Sequence, residues 1–401
     1  MRSNAAWLVI LGGVSAALHV GKLAPALPVL REALGVSLLQ AGFLLSLVQL
    51  AGMTLGLAVG LAADTLGLKR TMVAGLLVLA GASWAGAGAQ DAGSLLALRA
   101  LEGLGFLLAS MPAPGLIRRL VDARRLQAAL GLWGAYMPFG TAAALLTGPL
   151  VIGLAGWPAW FRLLAVLALA MAIWLLLRIP ADPAAATPGS RQAGWPRRLR
   201  STLGARGPWF VALAFALYSG QWLAVIGFLP TVYAQAGIGA AAAGAATALA
   251  AAVNIIGNVL SGRLLQQGVA PRHLLQAGFV VMGLGGLVAF APLWLGEGAA
   301  AFAVRLAAVL LFSAVGGMIP GTLFSLAVRL APSEGTVSTT VGWMQQWSSI
   351  GQFAGPPLVA GVATLAGGWQ WSWTVTGACA LAGLGLASAM PRLLGARGRD
   401  I

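Results

Sequence analysis

Apolar side chains run along this chain in long stretches, broken by short charged or Pro/Gly-rich segments, and each stretch approaches the roughly 20 residues that a bilayer-spanning helix needs. Reading the runs between breaks predicts helices over 6–29, 38–62, 70–90, 93–117, 127–155 and 160–178. Six more are predicted over 208–230, 239–262, 273–294, 299–327, 338–365 and 370–390. The first run follows Arg2 as a secretory signal would, but it is too long and eleven spans follow it, so it is read as a helix. The pattern predicts an all-α polytopic membrane protein of twelve transmembrane helices.

Residues 180–206 break the pattern. They hold Pro180, Pro183, Pro188 and Pro196 with several arginines and few large aliphatic side chains, the composition of a linker. The expected organisation is a six-helix bundle over 1–179, a cytoplasmic linker over 180–207 and a second six-helix bundle over 208–401. The halves repeat. At an offset of 202 residues Leu27-Pro28 falls on Leu229-Pro230, Ala41-Gly42 on Ala243-Gly244, and Gly60 on Gly262. Arg99 faces Arg305 at 206, and Pro149-Leu150-Val151 faces Pro357-Leu358-Val359 at 208. Small loop insertions account for the drift, and a pseudo-symmetric pair of bundles of this kind marks secondary transporters.

Composition narrows the function classes. Hydrophobic residues make up 59% of the chain and charged ones 8%, against about 25% charged in soluble proteins, which excludes a water-soluble enzyme. A net charge of +15 would suit nucleic acid, but the basic residues lie in short blocks between apolar runs, so no nucleic-acid partner is expected. With the N-terminus inside, 19 of the 24 basic residues fall in cytoplasmic segments, leaving Lys22, Arg31, Arg99, Arg162 and Arg305. Both termini are therefore expected in the cytoplasm of a cell with this as an inner-membrane protein. Cys379 is the sole cysteine, His19 and His273 lie on different helices, and no Walker pattern occurs. No metal, cofactor, ATP-driven step or catalysis is expected, and the chain is read as a monomer.

The loop after the second span reads Gly60-Leu-Ala-Ala-Asp64-Thr65-Leu66-Gly67-Leu68-Lys69-Arg70. It resembles the Gly-x-x-x-Asp-Arg-x-Gly-Arg-basic loop of the major facilitator superfamily, with Thr65 and Leu68 departing from the pattern. Arg99, Glu102, Gly103 and Gly105 resemble that family's fourth-helix pattern, and Gly-Trp pairs ending the fifth and eleventh spans add a weaker match. The resemblance covers the whole chain and implies the major facilitator fold and secondary transport. Only Gly140 and Gly148-Pro149 remain of the antiporter signature in helix five. Among the branches, the chain resembles the cyanate and nitroimidazole porters.

The resemblance and the spacing together make Gly60, Asp64, Gly67, Lys69 and Arg70 a conformational latch, with Asp64 at the cytoplasmic end of helix two bound to basic groups and helix ends in one state only. The plainer alternative is a loop anchor. Helix-terminus charge contacts contribute about 0.3 to 2 kcal/mol, enough to bias two states a few kcal/mol apart. Gly52, Gly56 and Gly60 form one smooth helix face for sliding or for static packing. Pro112, Pro114, Pro138 and Pro320 should bend their helices.

An ionisable group at bilayer depth costs about 2.5 to 3.5 kcal/mol, so such groups normally face a polar cavity. His19 and Lys22, three apart in helix one, share a face with Ser15. Arg99 and Glu102, also three apart, are expected either to neutralise each other or to couple a proton, with Glu102 as the carrier because it is the carboxylate well inside a span. Lys22 and Arg305 then remain unpaired, and with His19 they predict an electropositive pocket for a small anion. Alternatively, Lys22 snorkels to the interface and Arg305 lies near a helix end. Tyr136, Tyr218, Gln221, Trp222, Asn254, Asn258, Trp343, Gln346 and Trp347 complete the expected lining, or hydrogen-bond between helices. Trp157, Trp160, Trp369 and Trp371 are assigned to the interfacial aromatic belt.

These residues predict a carrier of a small organic or inorganic anion, working by alternating access with proton symport. Proton-coupled export of amphipathic drugs is the alternative within transport, and a transporter-like ligand sensor is the alternative of another class.

Overall fold

A computed structural model describes residues 2–122, 129, 133–182, 195–291, 298–333 and 336–394; within these, the side chains of 2–4, 60–66, 118, 195, 338 and 393–394 are outside the description. Among the described residues the regular elements are all helices, without a strand. Helices α1 (Arg2–Gly21) and α2 (Leu23–Leu34) make the first span, with a break at Lys22. The second consists of α3 (Leu38–Ser46), a 3-10 turn at Leu47–Gln49 and α4 (Leu50–Leu66). The third is α5 (Leu68–Gly86), and the fourth is α6 (Ala92–Ser110) continued by α7 (Ala113–Leu120). Spans five and six form one rod, α8 (Tyr136–Arg178), broken at Gly156, where φ 80 and ψ 165 depart from the helix.

After the short α9 (Trp195–Leu203) come α10 (Arg206–Gln235), α11 (Ala240–Ala252) with α12 (Asn254–Gln266), and α13 (Pro271–Phe290). Then follow α14 (Ala299–Gly316) with α15 (Met318–Leu330), α16 (Val337–Ala366) and α17 (Ser372–Leu394). Nine of the described helical segments are long and apolar enough to cross a membrane. That number takes α8 once and passes over α5 and α16, so each of the twelve expected spans falls on one of these helices.

Local chemistry explains the boundaries. Ser37 and Gln40 exchange side-chain and backbone hydrogen bonds at 3.1 and 2.9 Å, a capping box that starts α3. Asp91 accepts from the Ser94 amide at 2.9 Å and starts α6. Pro25 withholds the amide that would bond the Gly21 carbonyl, which loosens the first span beside Lys22. Pro112 sits at the break between α6 and α7, and Pro320 follows the break at Gly317, as expected of bending prolines.

The chain divides into two compact units, Met1–Ser190 with Gly227–Ala248, and Arg191–Ile226 with Leu249–Ile401. A split at the linker alone would have given 227–248 to the second. In the first unit, Gly227 lies against Leu45, and Gly244 against Pro149 and the Leu145 carbonyl. Small residues make these approaches possible because no Cβ intervenes. A Cβ on Gly103 of α6 would lie 2.6 Å from the Val48 carbonyl oxygen at the break of the second span. In the second unit the breaks at Val253 and Gly317 meet each other, and a Cβ on Gly257 would lie 2.7 Å from the Met318 amide nitrogen.

Candidate functional site

The first unit buries four ionisable side chains in one cluster: His19, Lys22, Arg99 and Glu102, each at most 2% exposed. Lys22 stands between α1 and α2 with helical dihedrals, φ −61 and ψ −28, and its side chain meets groups of α5, α6 and α8. Its carbonyl is held by the Trp160 indole N–H at 3.1 Å, outside the helix ladder. The ammonium donates to Glu102 Oε1 and, at 2.9 Å, to Ser83 Oγ, and it lies 3.9 Å from the centroid of the Phe161 ring. Ser83 in turn donates to the Phe161 carbonyl at 2.9 Å.

Arg99 donates to Glu102 Oε2 at 2.7 Å and to three backbone carbonyls, those of Leu44 at 3.0 Å, His19 at 2.6 Å and Val20 at 3.3 Å. The fork of the guanidinium thus ties α6 to the first and second spans, a role a point charge does not fill. His19 differs from its neighbours: neither ring nitrogen has a hydrogen-bond partner among the described residues, and Nδ1 stands 3.9 Å from Glu102 Oε1. Beside the cluster, Leu23, Leu44, Leu95 and Phe161 wall a space too small for a water molecule.

This geometry corrects two expectations. Lys22 is not unpaired; it shares Glu102 with Arg99, because the first span packs against α6 with the face that carries His19 and Lys22. Nor does Trp160 belong to an interfacial belt, being 1% exposed and bonded to Lys22. Trp157 is also buried, edge-on to Phe161, whereas Trp371 is 47% exposed. Tyr136, at the start of α8, stacks on Trp133 with ring centroids 4.1 Å apart.

The second unit gathers a neutral network. The Asn254 amide donates to Tyr218 Oη and to the Ser313 carbonyl, both at 2.9 Å, and accepts from Asn258 at 3.0 Å. Trp222 donates to Ser313 Oγ at 3.0 Å. Four predicted lining residues therefore hydrogen-bond chiefly to one another and to neighbouring helices. Others retain unmet polar atoms among the described residues: Gln221 Oε1, Arg305 Nε, and the indole N–H groups of Trp343 and Trp347. Trp209, Trp343 and Trp347 meet edge to face, with centroids 5.0 to 5.9 Å apart. Gln346 is half-buried on the same helix.

Of the latch residues, Gly60 and Asp64 fall in the stretch 60–66, whose surroundings lie outside the description. Gly67 has φ 97, a conformation that favours glycine, and precedes α5 as its N-cap. The carboxylate that serves this helix end is one the sequence reading passed over. Asp182, just after α8, accepts from the Lys69 and Arg70 amides at 3.1 and 3.0 Å and pairs with Arg119 at 2.9 Å. Partial burial pushes the Asp182 carboxyl up, but the two amides and the Arg119 guanidinium outweigh it and hold the group below its ordinary value. Lys69 reciprocates, its ammonium donating to the Leu176 and Ile179 carbonyls at 2.8 and 2.6 Å at the end of α8. The signal in the sequence was a lone acid at the head of a basic linker.

Comparison with known proteins places the chain. Residues 9–356 match the sequence profile of the Major Facilitator Superfamily. A human protein named monocarboxylate transporter 11 is 28% identical over 316 residues, which are 75% of this chain and 63% of that protein's length. A bacterial homologue of the human lysosomal transporter Spinster, solved in an inward-facing and occupied conformation, is similar in fold. Its TM-score is 0.74 at 16% identity, covering 99% of this chain and 95% of that one. With the helix pattern, the buried charges and the matched profile in agreement, the chain belongs to the Major Facilitator Superfamily of membrane transporters.

Proposed function

We propose that this protein is a secondary active transporter that moves a small organic anion, of the monocarboxylate kind, together with a proton by alternating access. The observation that carries the reading is the buried cluster, in which two basic side chains, Lys22 and Arg99, face a single carboxylate. An excess positive charge inside a span is costly unless something negative joins it in use. Support comes from Arg305, whose Nε is buried and has no hydrogen-bond partner among the described residues, and from the name of the human relative. In this reading His19, Lys22 and Arg305 attract the anion, Glu102 and Arg99 take part in proton coupling, and Gln221 and Trp343 supply neutral contacts. In this reading the carrier is a monomer of a bacterial inner membrane with both termini in the cytoplasm, a topology that the arginine-rich loops favour.

Uptake of labelled monocarboxylates into proteoliposomes under an inward proton gradient tests it. Uptake that exceeds equilibrium and is lost in Arg305→Ala is expected; flat uptake at all gradients would sink the reading. A second reading, proton-coupled export of amphipathic compounds, is favoured by the three-tryptophan cluster of Trp209, Trp343 and Trp347 with its two unmet indole donors. Dye efflux lost in Trp343→Ala, with no carboxylate uptake, would favour that alternative.

A further inference from the structure

We infer that the carboxylate of the cargo binds to Arg305 within the second unit, taking there the place that Glu102 fills in the first. This rests on the monocarboxylate reading above and deepens it by narrowing the binding site to one arginine on α14.

An offset of 206 superimposes one face of α6 on one face of α14, residue by residue. Leu95, Arg99, Glu102, Gly103 and Phe106, all buried, fall on Ala301, Arg305, Ala308, Val309 and Phe312. The four apolar members of the second set are buried too, and Arg305 is half-buried among them. The opposite face of α14 carries Ala303, Val304, Ala307 and Leu311, all exposed as lipid-facing residues are. Arg305 therefore stands on the face turned into its own unit. It lies about 9 Å along the axis from Ala299, where the helix begins.

The two arginines share a position and differ in what surrounds them. Arg99 Nε donates to the Leu44 carbonyl, and its Nη atoms donate to Glu102 and to the His19 and Val20 carbonyls. Arg305 Nε is buried and has no hydrogen-bond partner among the described residues, and none of their carboxylates lies within ion-pair distance of its guanidinium. Both side chains that flank Arg99 on its helix face, Leu95 and Glu102, are alanine beside Arg305. A carboxylate at the position related to that of Glu102 thus meets only methyl groups of α14.

Arginine keeps its proton under all ordinary conditions, so this site cannot escape its charge by titration. An unpaired cation inside a span is costly, and an anion brought from outside removes that cost. The guanidinium fork offers two parallel hydrogen bonds to two coplanar oxygens, which selects a carboxylate over a halide.

Replacing the missing carboxylate tests this. Purified full-length protein in nanodiscs is heated with and without propionate, pyruvate or benzoate, and unfolding is followed by tryptophan fluorescence. At least one of these probes should raise the wild-type midpoint, whereas propionamide and chloride should not. Arg305→Gln and Arg305→Lys should each weaken that binding by about tenfold or more, the second because it keeps the charge and loses the fork. Ala308→Glu should raise the midpoint with no probe present and abolish the response to the probes, since its carboxylate stands three residues on from Arg305, as Glu102 does from Arg99. Ala308→Gln, of the same size, should not raise it. A folded Ala308→Glu protein with an unchanged midpoint overturns the inference. Where the added side chain prevents folding, the Arg305 variants decide: probe binding that survives in Arg305→Gln overturns it, and if Lys22→Gln then abolishes binding, the anion belongs to the first unit. The cargo reading fails separately, when no monocarboxylate shifts the wild type and none enters proteoliposomes; uptake of one that Arg305→Gln binds normally removes the inference alone.

Discussion

The two units solve the problem of polar groups in an apolar span in different ways. In the first, Arg99 sits in α6 with Glu102 three residues on, and Lys22 crosses from the break in the first span to share the carboxylate. In the second, Arg305 occupies the repeat-related place in α14, but the residue three further on is Ala308, and the described residues of that unit contain no carboxylate side chain. At the offset of 202, Ala224 stands where Lys22 does and Gln221 where His19 does. Polar interactions there pass instead through neutral amides, hydroxyls and indoles centred on Asn254. Duplication preserved the helices, their breaks and one arginine, whereas the ionic cluster belongs to one copy. A buried ion pair contributes little net stability, yet losing one partner is severe; a neutral network is less extreme in both respects.

The contrast can be broken most forcefully at Glu102. Glu102→Gln strands two buried cations and should cost about 3 to 5 kcal/mol, read as a large fall in the unfolding midpoint of detergent-purified protein by tryptophan fluorescence. Adding Lys22→Met should recover part of that loss. A drop below about 1 kcal/mol for the single variant would show the cluster to be solvated. Asn254→Leu, in the other unit, takes away the donor to the Tyr218 hydroxyl and to the Ser313 carbonyl and one of the two acceptors of the Asn258 amide, and should cost about 1 to 3 kcal/mol in the same assay. Were it to exceed the Glu102 variant, the distinction between the units would fail.

Smaller effects sharpen the picture at the cytoplasmic ends. Asp182→Asn removes an ion pair with a partly exposed arginine and weakens two amide contacts, for about 1 kcal/mol or less. The Asp182 carboxyl is held below its ordinary value, so its contribution is complete above the usual carboxylate value near about 3.9. It fades as pH falls through the lower folded value. Wild type and variant should therefore converge in stability at the acid end, and a constant gap would assign the effect to something other than ionisation. Least of all, Gly262→Ala should be neutral or stabilise by up to about 1 kcal/mol, because a Cβ there meets nothing within 4 Å. Gly103→Ala, aimed at the Val48 carbonyl, should destabilise.

Much of this was legible in advance. The twelve spans, the break between Gly156 and its flanking tryptophans, and the pairing of Arg99 with Glu102 follow from period, composition and spacing within one helix. Lys22 looks unpaired in the sequence because its partner is 80 residues away on another span, which no local pattern records. Asp182 escaped for the same reason, as its partners lie 63 to 113 residues back. Trp160 looked like a belt residue because position near a span end is visible in sequence, whereas the carbonyl it binds is not.

By itself, the order of amino acids determined that this chain lives in a bilayer, how many times its helices cross, and which few ionisable groups are placed at depth, because hydrocarbon penalises each exposed peptide and charge one residue at a time. Only the tertiary structure decided which of those groups share a counterion. That choice depends on distances of a few ångströms between helices far apart in the chain, and it is there that one carboxylate became common to Lys22 and Arg99.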